Sequence, residues 1–199
     1  RITNNIRLRE QTEKEIVSLA EECYYKHDIC SQRFERDSAA YWLERRTELD
    51  PENVEWINDA AEYIYLRIGD YNRALEYYNK ALEIREKVLG TEHPDTALSY
   101  NNIGLCYNSL DDYDKALEYY NKSLKISKKV LGTEHPDTAL SYNNIGGCYH
   151  YVGDYDKALE YYNKALKIYE KVLGTEHPST ALSYNNIGAC YGNLGDYDK

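Results

Sequence analysis

The chain has 199 residues with 24 Lys and Arg against 34 Asp and Glu, a formal net charge of -10. Such a surface repels a phosphate backbone and holds no concentrated basic stripe, which excludes nucleic acid as an expected partner; no run of about 18 uncharged apolar residues offers a membrane span. The 42% hydrophobic content suffices for a core, and Tyr supplies an unusual share of it, 23 against a single Phe and no Met.

From the N-terminus, the pattern predicts a helix over Gln11 to Lys26, a polar loop near His27 to Arg33, and an outer helix from Ser38 to Glu48. Residues 1–48 are expected to form a degenerate helical pair or cap, with Trp42 and Trp56 placed to seal one end of a stack. The connector LDPEN at 49–53 then leads into a helix over 54–68.

From Gly69 onward the sequence repeats. It restarts at Asp111, Gly153 and Gly195, a period of 42; blocks 69–110 and 111–152 agree at 31 of 42 positions, and blocks 111–152 and 153–194 at 33. Self-similarity of this length is the mark of stacked supersecondary units, none of which can bury its apolar face alone. Residues 49–199 are therefore expected to form one array that stops inside a repeat, as a piece of a longer protein would.

Each block contains two helical patterns. In 113–131, Ala116, Leu117, Tyr120 and Leu124, extended by Ile126 or Val130, recur at helical spacing, while Lys115, Glu118, Lys122 and Lys125 occupy the other side. The second pattern starts near Pro136, where a missing amide costs no hydrogen bond, and Leu140, Ile145, Cys148 and Tyr149 continue its buried side. Gly146 and Ala158 are expected where two helices approach closely. The turn GDY supplies Gly153 as terminator and Asp154 as cap, and in the longer connector VLGTEHPDTA, His135 is expected to make a turn or capping contact.

Cys106, Cys148 and Cys190 recur every 42 residues in apolar helical pattern and read as small buried thiols, not disulfides. The stretch CYYKHDIC lacks further Cys or His at zinc-site spacing, so no metal and no cofactor is expected.

The array GDYDKALEYYNKALKIYEKVLGTEHPSTALSYNNIGACY resembles the tetratricopeptide repeat. Its 42-residue period, with LG-x-x-HP-x-T-A and SYNNIG, is similar to the extended form found in kinesin light chains and nephrocystin-like proteins. The resemblance covers 49–199 strongly and 11–48 weakly. It implies an all-α, right-handed superhelical solenoid of antiparallel hairpins with about nine helices. The implied role is a non-catalytic, cytoplasmic scaffold that binds an extended peptide of a partner protein in a concave groove. The alternative is a self-associating repeat module that assembles or autoinhibits a larger signalling protein.

The resemblance further implies that the first helix of each hairpin lines the groove. On that basis Asn101, Asn143 and Asn185 of the three SYNNIG copies point inward, with Asn102, Asn144 and Asn186 nearer the helix contacts. An asparagine amide offers one acceptor and two donors, enough to pair with a peptide backbone without reading its side chains. The same amides could instead bridge neighbouring helices and bind nothing.

Selectivity is expected from positions one and two turns further along: Leu105 and Asn108; Gly147, His150 and Tyr151; Ala189 and Asn193. Of the eleven differences between the first two blocks, four fall at 105 and 108–110, and of the nine between the next two, four fall at 147 and 150–152. A recognition surface varies in this way over a constant frame, and so does a helix end against which nothing packs. The helices 94–110, 136–152 and 178–194 contain no Lys or Arg, so the basic clamp that some relatives use against a peptide carboxylate is missing.

No acid/base pair, nucleophilic dyad or phosphate loop emerges, since IGGCY at 145–149 lies inside a helix and Asp111 and Asp112 read as turn residues. The expected partner is a protein or extended peptide, with no nucleic acid and no membrane, and with weak self-association through the exposed face of the last helix.

Overall fold

The computed structural model describes residues 2–195, with side chains from Gln11 onward. Nine α-helices account for the described chain: α1 (Ile2–Gln32), α2 (Arg36–Leu49), α3 (Val54–Tyr63), α4 (Tyr71–Leu89), α5 (Pro94–Ser109), α6 (Tyr113–Val130), α7 (Pro136–Tyr151), α8 (Tyr155–Leu173) and α9 (Pro178–Leu194). A π-helical turn, Ile64–Ile68, continues α3 until Gly69 ends it in the left-handed region at φ +78°. The helices gather into two compact units, Arg1–Ile84 and Arg85–Lys199.

In the first unit α1 and α2 form a hairpin, and α2 also packs on α3. The predicted loop near His27 to Arg33 is helical: α1 runs to Gln32, and only three residues separate it from α2. His27 explains the difference. It is buried, its Nδ1–H donates to the Ala39 carbonyl at 3.0 Å, and its ring stands edge-on to Tyr63 at 4.7 Å. The polar residues around it, among them Asp28, Gln32 and Arg33, are exposed, so a solvated helix face gives this stretch its loop-like composition.

Both tryptophans are half-buried and lie under cations. Lys26 Nζ sits 4.3 Å from the Trp42 ring, and Arg46 lies over Trp56 at 4.6 Å and Tyr24 at 4.9 Å while pairing with Asp59 at 3.0 Å. Glu44 of α2 accepts from Arg73 Nε at 2.7 Å and from the Tyr77 hydroxyl at 3.1 Å, which ties α2 to the start of α4.

The second unit displays the repeat in full. Pro94, Pro136 and Pro178 each open a helix, and His93, His135 and His177 stand at the N-caps. Each His Nδ1 accepts the amide N–H two residues on, at 3.1, 3.2 and 3.1 Å, so one of the unpaired donors at each helix start is satisfied. The connector is closed by Thr96, Thr138 and Thr180, whose hydroxyls donate to the carbonyls of Gly90, Gly132 and Gly174 at 2.8 Å each. Asp112 and Asp154 cap α6 and α8.

Hairpins α5/α6 and α7/α8 stack through α6 on α7, and α9 adds to α8. Ala116, Tyr120 and Leu124 of α6 bury against Ile145 and Cys148 of α7, and Ala158 and Tyr162 of α8 against Cys190 of α9. The SYNNIG glycines make room for tyrosine rings: a Cβ at Gly104 would lie 2.6 Å from Tyr120 and one at Gly146 2.8 Å from Tyr162. Two expected core positions are open to solvent, Leu140 at 36% and Val130 at 45% exposure. Leu140 sits one turn before Asn143 on α7, and Val130 is the last residue of α6.

The abundance of Tyr follows from half-burial. Tyr107 stacks on Tyr119 at 5.5 Å and Tyr149 on Tyr161 at 5.6 Å, with Lys122 and Lys164 4.6 and 4.8 Å above the outer rings. Tyr100 donates its hydroxyl to Glu86, and Tyr184 to Glu170. A phenylalanine could make the stack but not the hydrogen bond at the wet edge.

Candidate functional site

Residues i, i+3, i+7 and i+10 of a helix share one face. On α5 this face carries Leu98, Asn101, Leu105 and Asn108; on α7, Leu140, Asn143, Gly147 and His150; on α9, Leu182, Asn185, Ala189 and Gly192. The leucines are exposed at 47, 36 and 52%. Sequence reasoning missed them, although their recurrence three residues before each first asparagine of SYNNIG was there to be read.

Between these helices the amides form a relay. Asn144 Nδ2 donates to Asn101 Oδ1 at 2.8 Å, and Asn186 Nδ2 donates to Asn143 Oδ1 at 3.1 Å. The second asparagine of the second and third copies thus reaches back to the preceding hairpin, and the first asparagine of the first and second copies accepts from the next one. Asn101 is only 5% exposed, Asn143 is half-buried and Asn185 is exposed.

The next turn of the same face also touches its neighbour. Cys148 Sγ donates to Asn108 Oδ1 at 3.5 Å, and His150 Nδ1 lies 3.3 Å from Cys190 Sγ. Burial pushes the Cys106 and Cys148 thiols up to about 12, which keeps them protonated and able to donate. All five cysteines are free thiols. Leu105 is half-buried against the Ala116 and Tyr120 cluster, whereas Gly147 has space, a Cβ there meeting nothing nearer than the Tyr162 hydroxyl at 3.7 Å. Tyr151 stacks on Tyr113 at 5.7 Å beside the hairpin turn, and Ala189 and Asn193 are exposed on α9.

A depression of about 150 Å³ opens between α5 and α7, floored by Ser123 and Ser127 of α6 and rimmed by Leu98, Asn101 and Leu140. It is below the roughly 300 to 1,000 Å³ of a small-molecule site and suits a single side chain. Asp95 and Asp137 stand on its border, and no Lys or Arg lines it. The first unit holds a second cleft, of about 240 Å³, lined by Tyr24, His27, Asp59, Glu62, Tyr63 and Arg67 among others. Among the described residues, no group of three His, Cys, Asp or Glu is disposed to hold a metal ion, and no helix is long and apolar enough to cross a membrane.

Stacked helical hairpins of fixed period define a repeat scaffold. The family model of the tetratricopeptide repeat matches residues 63–129, 97–171 and 137–199, more than half of the sequence, and the chain belongs to that family. Its repeats are a general scaffold for protein–protein interaction, and an all-helical array of this type is typical of non-catalytic proteins.

Among solved structures, BtubC (BKLC) from P. vanneervenii superposes with a TM-score of 0.77 at 22% identity, over 99% of this chain and 81% of that one. A kinesin light chain-type protein with nearly identical TPR-like repeats from Podosopora anserina gives 0.71 at 22% identity, over 92 and 88%. The apo form of RapI gives 0.74 at 23% identity, over 90 and 65%. These likenesses are of fold. No curated protein matches the sequence.

Proposed function

We propose that the chain is an interaction scaffold whose α5, α7 and α9 faces hold an extended peptide of a partner protein, in the manner of a kinesin light chain-like array with its groove along the first helices. The observation that carries this reading is the row of exposed Leu98, Leu140 and Leu182 beside Asn101, Asn143 and Asn185, with one side-chain-sized depression already formed between the first two helices. Each amide bond to a peptide backbone contributes only about 0.5 to 1.5 kcal/mol net, so affinity accumulates over repeats and stays moderate.

The test is a peptide-library screen against the whole chain, with enriched peptides rebound to Asn143→Ala and Leu140→Ser. Both substitutions are expected to weaken binding while leaving the melting curve within a few degrees. Enriched peptides indifferent to both would remove the face from consideration.

A second reading rests on α9. Ala181 is exposed where Ala97 and Ala139 are buried, and a Cβ at Gly188 meets nothing within 4 Å, whereas Gly104 and Gly146 are filled by tyrosine rings. That open face is suited to self-association. Sedimentation at several concentrations tests it, and a monomer at all of them would set it aside.

A further inference from the structure

We infer that the depression between α5 and α7 is a selectivity pocket for an apolar side chain followed or preceded by Lys or Arg, so that the favoured partner is a basic–apolar peptide. The inference rests on the peptide-scaffold reading above and adds the chemistry of the ligand.

Three independent features converge on it. The walls are Leu98 and Leu140, leucines exposed at 47 and 36% although each belongs to an otherwise packed helix. Exposed apolar surface around a preformed recess favours an apolar side chain, which regains there the burial that the leucines lack. At the recess Asn101, 95% withdrawn from solvent, has its oxygen held by Asn144. With that oxygen engaged, the amide nitrogen of Asn101 borders the recess, where it can donate to the backbone carbonyl of an extended segment crossing α5 and α7.

The rim sets the charge. Asp95 and Asp137 line the depression with their carboxylates 56 and 61% exposed, and α5, α7 and α9 carry no Lys or Arg. Arg85 donates to Ser99 Oγ at 2.7 Å and to the Asp95 carbonyl at 3.2 Å and is attracted to the Asp95 carboxylate, so it offsets part of the charge at Asp95 and leaves that of Asp137. His93 and His135 lie 3.7 and 3.6 Å from the two carboxylates, but both are bound as helix caps through Nδ1. An acidic rim on a chain of net charge -10 attracts a cationic segment and repels an acidic one.

The experiment selects random 12-residue peptides displayed on phage against the whole wild-type chain and rebinds the winners to two double variants, Asp95→Asn/Asp137→Asn and Leu98→Ser/Leu140→Ser. The expected winners pair an apolar residue with Lys or Arg, lose about tenfold in affinity on both variants, and lose affinity as salt is raised. Winners weakened by the Leu variant yet indifferent to the Asp variant would overturn the charge rule and leave the scaffold reading standing. Winners indifferent to both variants would overturn both. Circular dichroism on each variant confirms that the helices persist, and because the substituted leucines and aspartates are exposed, loss of folding is not the expected outcome.

Discussion

Asn144 of α7 donates its amide N–H to Asn101 Oδ1 of α5 at 2.8 Å, across a seam where Asn101 is almost wholly buried. The same bond recurs one repeat later between Asn186 and Asn143 at 3.1 Å. Two adjacent asparagines therefore divide the work: one fixes the register of each hairpin on the one before, and the other accepts the hairpin that follows.

Removing the donor should be costly. Asn144→Ala leaves a buried oxygen with no partner and is expected to destabilise by about 1 to 3 kcal/mol, read as a lower urea midpoint with unchanged slope. Asn186→Ala, whose lost partner Asn143 is half-buried and can turn to water, should cost less. Equal losses in the two variants would argue against the burial account.

The SYNNIG glycines give a contrast within one sequence. Gly146→Ala places a Cβ at 2.8 Å from the Tyr162 ring and should cost about 1 to 3 kcal/mol through overpacking. Gly188→Ala meets open space and should stabilise α9 by up to about 1 kcal/mol, since Ala is the better helix former. Thermal melts of the two variants should move in opposite directions.

At the connector, His135→Ala removes the acceptor for the Asp137 N–H and should destabilise by about 1 kcal/mol. His135→Asn retains an N-cap acceptor and should recover most of that loss. Urea unfolding of the pair decides it, and an Asn variant as unstable as the Ala variant would mean that the ring matters for something other than the cap.

Alkaline pH should loosen the fold. Burial raises Tyr77, Tyr100 and Tyr169 from 10.0 to about 12, with Glu44 and Glu86 adding to the first two, and raises Cys106 and Cys148 from 9.0 to about 12. The unfolded chain ionises these groups first, so the stability they hold is complete below about pH 9 and is lost as pH climbs towards 12. The urea midpoint should be level between pH 7 and 8.5 and fall by pH 10.5. A midpoint that stays level to pH 10.5 would contradict the assigned burial.

Much of the architecture is legible in the order of residues because it is encoded over short spans. Pro136 opening a helix, His135 capping it and Gly132 and Gly153 turning the chain depend on backbone geometry at one residue or a few, and Ala116, Tyr120 and Leu124 share a face by helical spacing, all of it copied with the 42-residue period. Those constraints act at separations of two to five residues, so spacing alone expresses them. What a helix face meets in space is another matter. That His27 is a buried helical residue, that Leu98 and Leu140 stay exposed, and that Asn101 turns towards Asn144 were decided only when neighbouring helices came together, because a residue's burial depends on the helix beside it and the sequence of one helix does not state which of its sides that neighbour will cover.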